Sequence, residues 1–105
     1  MMLALGTYDV PKGQLAAVIT KLEMTAPATL PDLPFPDGFE ARKQDITVAA
    51  LRELYRTVGA PWLWSGGLLA SDADMQSRVQ QPDTDYWVIF EKDTAVGLIE
   101  LDFSK

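Results

Sequence analysis

Between residues 14 and 25 apolar and polar side chains alternate along the chain. Val18, Thr20, Leu22 and Met24 fall on one side, and Ile19, Lys21, Glu23 and Thr25 fall on the other. A period of two with β-branched residues predicts a strand, with the lysine and glutamate turning the second face toward solvent. Ahead of it, Gly6, Pro11 and Gly13 keep residues 1–13 irregular. Behind it, Pro27, Pro31, Pro34 and Pro36 make residues 26–37 an extended, proline-rich connector that cannot donate to a sheet ladder. Pro31 and Pro34 also have the spacing of a PxxP recognition segment. Residues 39–43 read as a short strand with Phe39 and Ala41 inward.

A helical period follows. Val48, Leu51, Leu54, Tyr55 and Val58 form one stripe, with Arg52, Glu53 and Arg56 off it. Asp45 is placed to cap the start, and Gly59 and Pro61 to stop the end. The run Pro-Trp-Leu-Trp-Ser-Gly-Gly-Leu-Leu over residues 61–69 suits neither helix nor strand. A second helix begins at Ser71, with Asp74 three positions on and Asp72 in the first turn. Met75 and Val79 face inward and Pro82 closes it.

Residues 86–91 and 95–103 alternate again around Lys92, Asp93 and Thr94, the pattern of a β-hairpin. In the first arm, Trp87 and Ile89 oppose Tyr86, Val88 and Phe90. Both faces are apolar, as in a central strand. In the second arm Ile99, Leu101 and Phe103 share one face, and Val96, Leu98, Glu100 and Asp102 share the other. The expected class is α+β: a mainly antiparallel sheet of about four strands with two helices packed on it.

Composition narrows the chemistry more than the fold. At 105 residues, 48% hydrophobic and 23% charged, the chain has the proportions of one globular domain. It contains no cysteine and no histidine. Disulfides, thiolate metal sites, cysteine nucleophiles and a Ser-His-Asp triad are therefore excluded, as is the usual general base near neutral pH. No signal peptide is visible and no apolar stretch is long enough to cross a membrane, so a cytoplasmic location is expected. The net charge of −6 argues against a nucleic-acid partner. Six acids and two bases fall in residues 82–105, which favours a cationic small molecule as ligand or serves solubility.

Glu100 and Asp102 are the candidate catalytic carboxylates. Alternate residues on a strand point the same way, roughly 6–7 Å apart, and such a pair can hold an ammonium group or act as a general base. The same pair also reads as two solvated charges. Trp62, Leu63 and Trp64, on a glycine-rich loop, are candidate substrate-binding residues, since rigid rings offer contact area and attract cations. They read equally as a cap on the core. The Tyr55 and Tyr86 hydroxyls are candidate acids or hydrogen-bonding groups on packed rings. No dinucleotide or P-loop phosphate cradle occurs. Residues 56–61 (Arg-Thr-Val-Gly-Ala-Pro) partly fit the [QR]-x-x-G-x-[GA] signature of acetyl-CoA sites, but end on Pro61 and end a helix instead of starting one.

Three features carry a resemblance: Leu22-Glu23-Met24-Thr25, Ala60-Pro61-Trp62-Leu63-Trp64 after the first helix, and Val96-Gly97-Leu98-Ile99-Glu100-Leu101-Asp102-Phe103 at the end. In this order of elements they resemble the N-terminal half of bacterial GNAT-superfamily N-acetyltransferases. The resemblance implies a single acceptor-side domain over residues 1–105. It puts Trp62, Leu63, Trp64 and Tyr55 near an acyl-acceptor amine, and Glu100 and Asp102 on the strand entering the site. It also implies that the strand and helix gripping the pyrophosphate of acetyl-CoA are absent from these residues. No cofactor is then expected on this chain alone, and acetyl-CoA only when a C-terminal half is supplied. The expected function is amine acetylation when so completed, with little activity alone. The final strand would be an open edge recruiting a second copy or a complementing half. The alternative is a non-catalytic small-molecule-binding or dimerisation module. No metal, nucleic acid or membrane is expected as a partner.

Overall fold

The computed structural model describes residues 3–104, except the side chain of Ser65. By internal contacts the chain divides into two units after Asp32, inside the proline-rich connector.

The described residues of the first unit contain neither helix nor strand. Its ordered features are local. Gln14 N–H donates to the Pro11 carbonyl at 3.0 Å across a turn in which Gly13 takes φ +84°, a value that favours glycine. The Tyr8 hydroxyl donates to the Ala4 carbonyl at 2.7 Å. The strand expected over residues 14–25 is therefore absent, and Leu22–Thr25, one basis of the family resemblance, forms no strand. Val18 and Leu22 are 96% and 91% exposed. Alternation specifies which way side chains point once a strand exists. It supplies no partner for the backbone N–H and C=O groups, and a strand without a ladder does not persist.

The second unit runs β1 (Phe39–Gln44), α1 (Val48–Leu54), a π-helical turn (Tyr55–Gly59), a 3₁₀ turn (Ala60–Trp62), α2 (Ser65–Leu69), α3 (Asp72–Val79), β2 (Thr84–Glu91) and β3 (Thr94–Asp102). The α+β class is as expected. Among the described residues the sheet has three antiparallel strands in the order β1-β2-β3, and three α-helices accompany it, not four strands and two helices. β2 is the central strand, as its two apolar faces require.

Register decides the faces. Arg42 pairs with Val88 and Val88 with Leu98; Gln44 pairs with Tyr86 and Tyr86 with Glu100. The side carrying Tyr86, Val88 and Leu98 packs in the core with Ile46, Leu51, Leu54, Tyr55 and Met75. Phe39 and Ala41, expected inward, instead pair with Glu91 and Ile89 on the opposite face. There they join Trp87, Ile99 and Leu101. One frame of alternation places Glu40 and Arg42 on the core side, where the Arg42 guanidinium stacks 4.4 Å from the Phe90 ring centre, and leaves Lys43 on the other face. A bulge between Ile89 and Phe90 lets Ala95 pair with Phe90 while Gly97 pairs with Ile89.

Local chemistry explains the helices. Thr47, not Asp45, caps α1: its Oγ1 accepts from Ala50 N–H at 3.1 Å. The later start leaves Ile46 just outside the helix, packed with Leu51 in the same core as a hydrophobic staple. Gly59 and Pro61 do not stop the run, which stays helical through Trp62. Pro61 falls in the first turn of the 3₁₀ segment, where its missing N–H is not needed. The end comes at Leu63, in the left-handed region at φ 61°. Leu63 N–H reaches Ala60 O at 3.0 Å and Trp64 N–H reaches Gly59 O at 3.1 Å, the paired bonds of a Schellman ending. Ser71 caps α3 as expected, its Oγ accepting from Asp74 N–H.

α2 was not expected, since two of its five residues are glycine. Gly67 lies against the Tyr55 ring so closely that a Cβ there would overlap Cδ2 and Cε2. Arg52 holds this helix from below, donating to Ala70 O at 2.7 Å, to Leu68 O at 3.4 Å and to Asp72 Oδ1 at 2.8 Å. Among the described residues no helix is long and apolar enough to cross a membrane.

Candidate functional site

The π-helical turn and the sheet meet at one point. Tyr55 opens that turn, where the widened helix breaks the regular α hydrogen-bond ladder. Its ring is buried between Gly67 and the core, and its hydroxyl donates to Oε1 of Glu100 on β3. Glu100 pairs across the sheet with Tyr86, whose hydroxyl donates to the backbone carbonyl of Arg78 at 3.2 Å. A helix end, a helical turn and two strands thus converge on two tyrosine hydroxyls and a carboxylate.

Beside them opens a cleft of about 400 Å³. Arg78 forms one wall from the last turn of α3, and Glu100 and Asp102 line another from β3. Tyr86, Thr84, Gln81 and Ser104 complete the lining with neutral hydrogen-bonding groups. Asp102 is held locally, accepting from Ser104 N–H at 2.9 Å.

The charges act on the hydroxyls. Burial, then the hydrogen bond to Glu100 and its negative charge, push the Tyr55 ionisation well above the ordinary tyrosine value. The Arg78 guanidinium, close to the same hydroxyl, opposes that rise. Tyr86 is raised for the same reasons, burial first and the Glu100 charge second, again opposed by Arg78. Both hydroxyls therefore remain protonated donors at neutral pH.

Of the residues singled out from sequence, the fold brings together Tyr55, Glu100 and Asp102. It does not bring Trp62, Leu63 and Trp64 to the cleft lining. Trp62 is 75% exposed. Leu63 terminates the helical run, and Trp64 covers Gly59, where a Cβ would come 2.7 Å from its ring. Arg78, Gln81 and Thr84 were missed. The one signal for Arg78, a cation in the last turn of a helix, is ordinary helix chemistry and points to no site. Among the described residues no group of three or more carboxylates is gathered as a metal site.

Comparison of the chain with protein-family models, curated proteins and solved structures gives no match.

Proposed function

We propose that this chain is the acceptor-side part of a GNAT-like N-acetyltransferase, binding a primary amine at Glu100. The order strand, helices, then two antiparallel strands supports the reading, because the family places its helices between the first strands and the hairpin. The observation that carries it is the Tyr55–Glu100 hydrogen bond, which orients a carboxylate that lines a charged cleft. One Glu100 oxygen is engaged by the tyrosine, which fixes the carboxylate plane. The other is left to receive an ammonium group through a charge-assisted hydrogen bond. Asp102, two residues along the same strand, adds negative charge to the lining. When the amine must react, Glu100 or Asp102 takes its proton, directly or through water.

The residues described do not fit acetyl-CoA. The only segment with a partial acetyl-CoA signature, residues 56–61, is wound into the π-helical and 3₁₀ turns. Its backbone N–H groups point along a helix and form no nest for a pyrophosphate. A thioester-binding half has to be supplied by further sequence or by another chain. We place the working protein in the cytoplasm.

Fusing the acetyl-CoA-binding half of a GNAT enzyme after residue 105, or adding it as a separate chain, tests the proposal. Amine-dependent release of coenzyme A that is lost in Glu100→Gln is expected. A chimaera that binds acetyl-CoA but transfers to no primary amine would overturn it.

A second reading, a non-catalytic small-molecule-binding or dimerisation module, is favoured by the position of β3. It is an edge strand in this sheet, with Val96, Ile99 and Leu101 each about two-fifths exposed. Under either reading this edge pairs with a second copy or with the completing half. Sedimentation of the chain, alone and with that half, distinguishes the two; a strict monomer in both mixtures counts against edge pairing.

A further inference from the structure

Arg78 and Glu100 line the same cleft with opposite charge, yet among the described residues neither is in an ion pair. The pairs Arg42–Glu40, Arg42–Asp93, Lys43–Asp85, Arg52–Asp72 and Arg56–Glu53 lie elsewhere. Glu100 is engaged by a neutral hydroxyl, and Arg78 faces hydroxyls as well. Two opposite charges that line one cavity without closing on each other leave a gap that a ligand of matching length can bridge. Thr84 and Gln81 line the same cleft and can hydrogen-bond such a ligand.

From this arrangement we infer that the cleft takes a zwitterion, an amine that also carries a carboxylate, with its ammonium on Glu100 and its carboxylate on Arg78. The inference rests on the amine-acceptor reading above and adds the anion seat to it. A guanidinium is suited to that seat because its planar fork matches a carboxylate in two parallel hydrogen bonds. A volume of about 400 Å³ accommodates an amino acid. Asp102 in the same lining disfavours a dianion, so a ligand with one negative group is selected over one with two.

The probes are glycine, β-alanine and γ-aminobutyrate, which carry the two charges at increasing separation. Each is compared with the amine lacking its carboxylate and the acid lacking its amine. Binding is read from NMR shifts of the Arg78 side chain and the Tyr86 ring. At least one zwitterion is expected to bind tenfold or more tighter than both of its one-ended analogues. Arg78→Gln should erase the advantage over the plain amine, and Arg78→Lys should restore part of it. Glu100→Gln should erase the advantage over the plain acid. If n-propylamine binds as tightly as γ-aminobutyrate and Arg78→Gln changes nothing, the anion seat does not exist, while amine binding at Glu100 stands. If no amine binds with or without a carboxylate, both readings fall.

Discussion

The hydroxyl of Tyr55 donates to Oε1 of Glu100, tying the first helical run to the last strand across 45 positions of sequence. This bond orients the carboxylate and shields one of its oxygens. Tyr55→Phe keeps the buried ring and removes only the donor. The variant should lose about 1.5–3 kcal/mol of unfolding free energy, the net worth of a hydrogen bond to a charged group. It should also bind a primary amine more weakly, since Glu100 is no longer held. Urea denaturation and amine titration check the two effects separately.

Alkaline stability follows from the same pair. The folded state raises the ionisation of Tyr55 above its ordinary value of 10.0. For a group whose folded value is raised, the stabilisation is fully present below the unfolded value and is lost as pH climbs toward the folded one. Urea midpoints measured from pH 8 to 11.5 should therefore hold steady until about pH 10 and then fall. Tyr86 contributes with the same sign. Tyr55→Phe should make the decline shallower.

Gly67 is required by packing. A methyl group there would overlap the Tyr55 ring, so Gly67→Ala should cost about 1–3 kcal/mol as the ring is forced aside. Gly66→Ala in the same short helix meets nothing within 4 Å and should be neutral or slightly stabilising. Thermal melts of the two variants side by side provide the comparison.

Leu63 distinguishes a structural loop from a substrate loop. It is 68% exposed and adopts a left-handed conformation that glycine takes without penalty. Leu63→Gly should stabilise the protein by about 1 kcal/mol and leave amine binding unchanged. A loss of amine affinity with unchanged stability would return residues 62–64 to the binding site.

Arg52 joins three segments through the Ala70 carbonyl and the Asp72 carboxylate. Arg52→Met, which retains most of the aliphatic stem, should cost about 1–3 kcal/mol by leaving partly buried carbonyls without a donor. Hydrogen exchange should accelerate first in α2, whose five residues include two glycines.

Much of the second unit was legible along the chain. The stripe through Leu51 and Leu54, the Ser71 cap and the hairpin around Lys92 and Asp93 are all local patterns, and each formed where the pattern lay. Lys92 and Asp93 both take positive φ, as a two-residue hairpin turn demands. The reading failed where one local signal had several solutions. Asp45 and Thr47 are both competent caps, and the burial of Ile46 selected Thr47. Gly59 and Pro61 are ordinary stop signals, but Pro61 is also at home in a helical first turn, and the chain used it that way.

The site divides along the same line. Sequence alone established which chemistry is available: carboxylates, tyrosines and arginines, with neither histidine nor cysteine. It also put Glu100 and Asp102 on one side of a strand, because that follows from a period of two. Only the tertiary structure decided that Tyr55 reaches Glu100, that Arg78 shares a cleft with Glu100 and Asp102, and that residues 14–25 form no strand. Side-chain direction is local, set by backbone periodicity within a few residues. Proximity between distant segments depends on strand register, helix length and available ladder partners, which no single stretch of chain encodes.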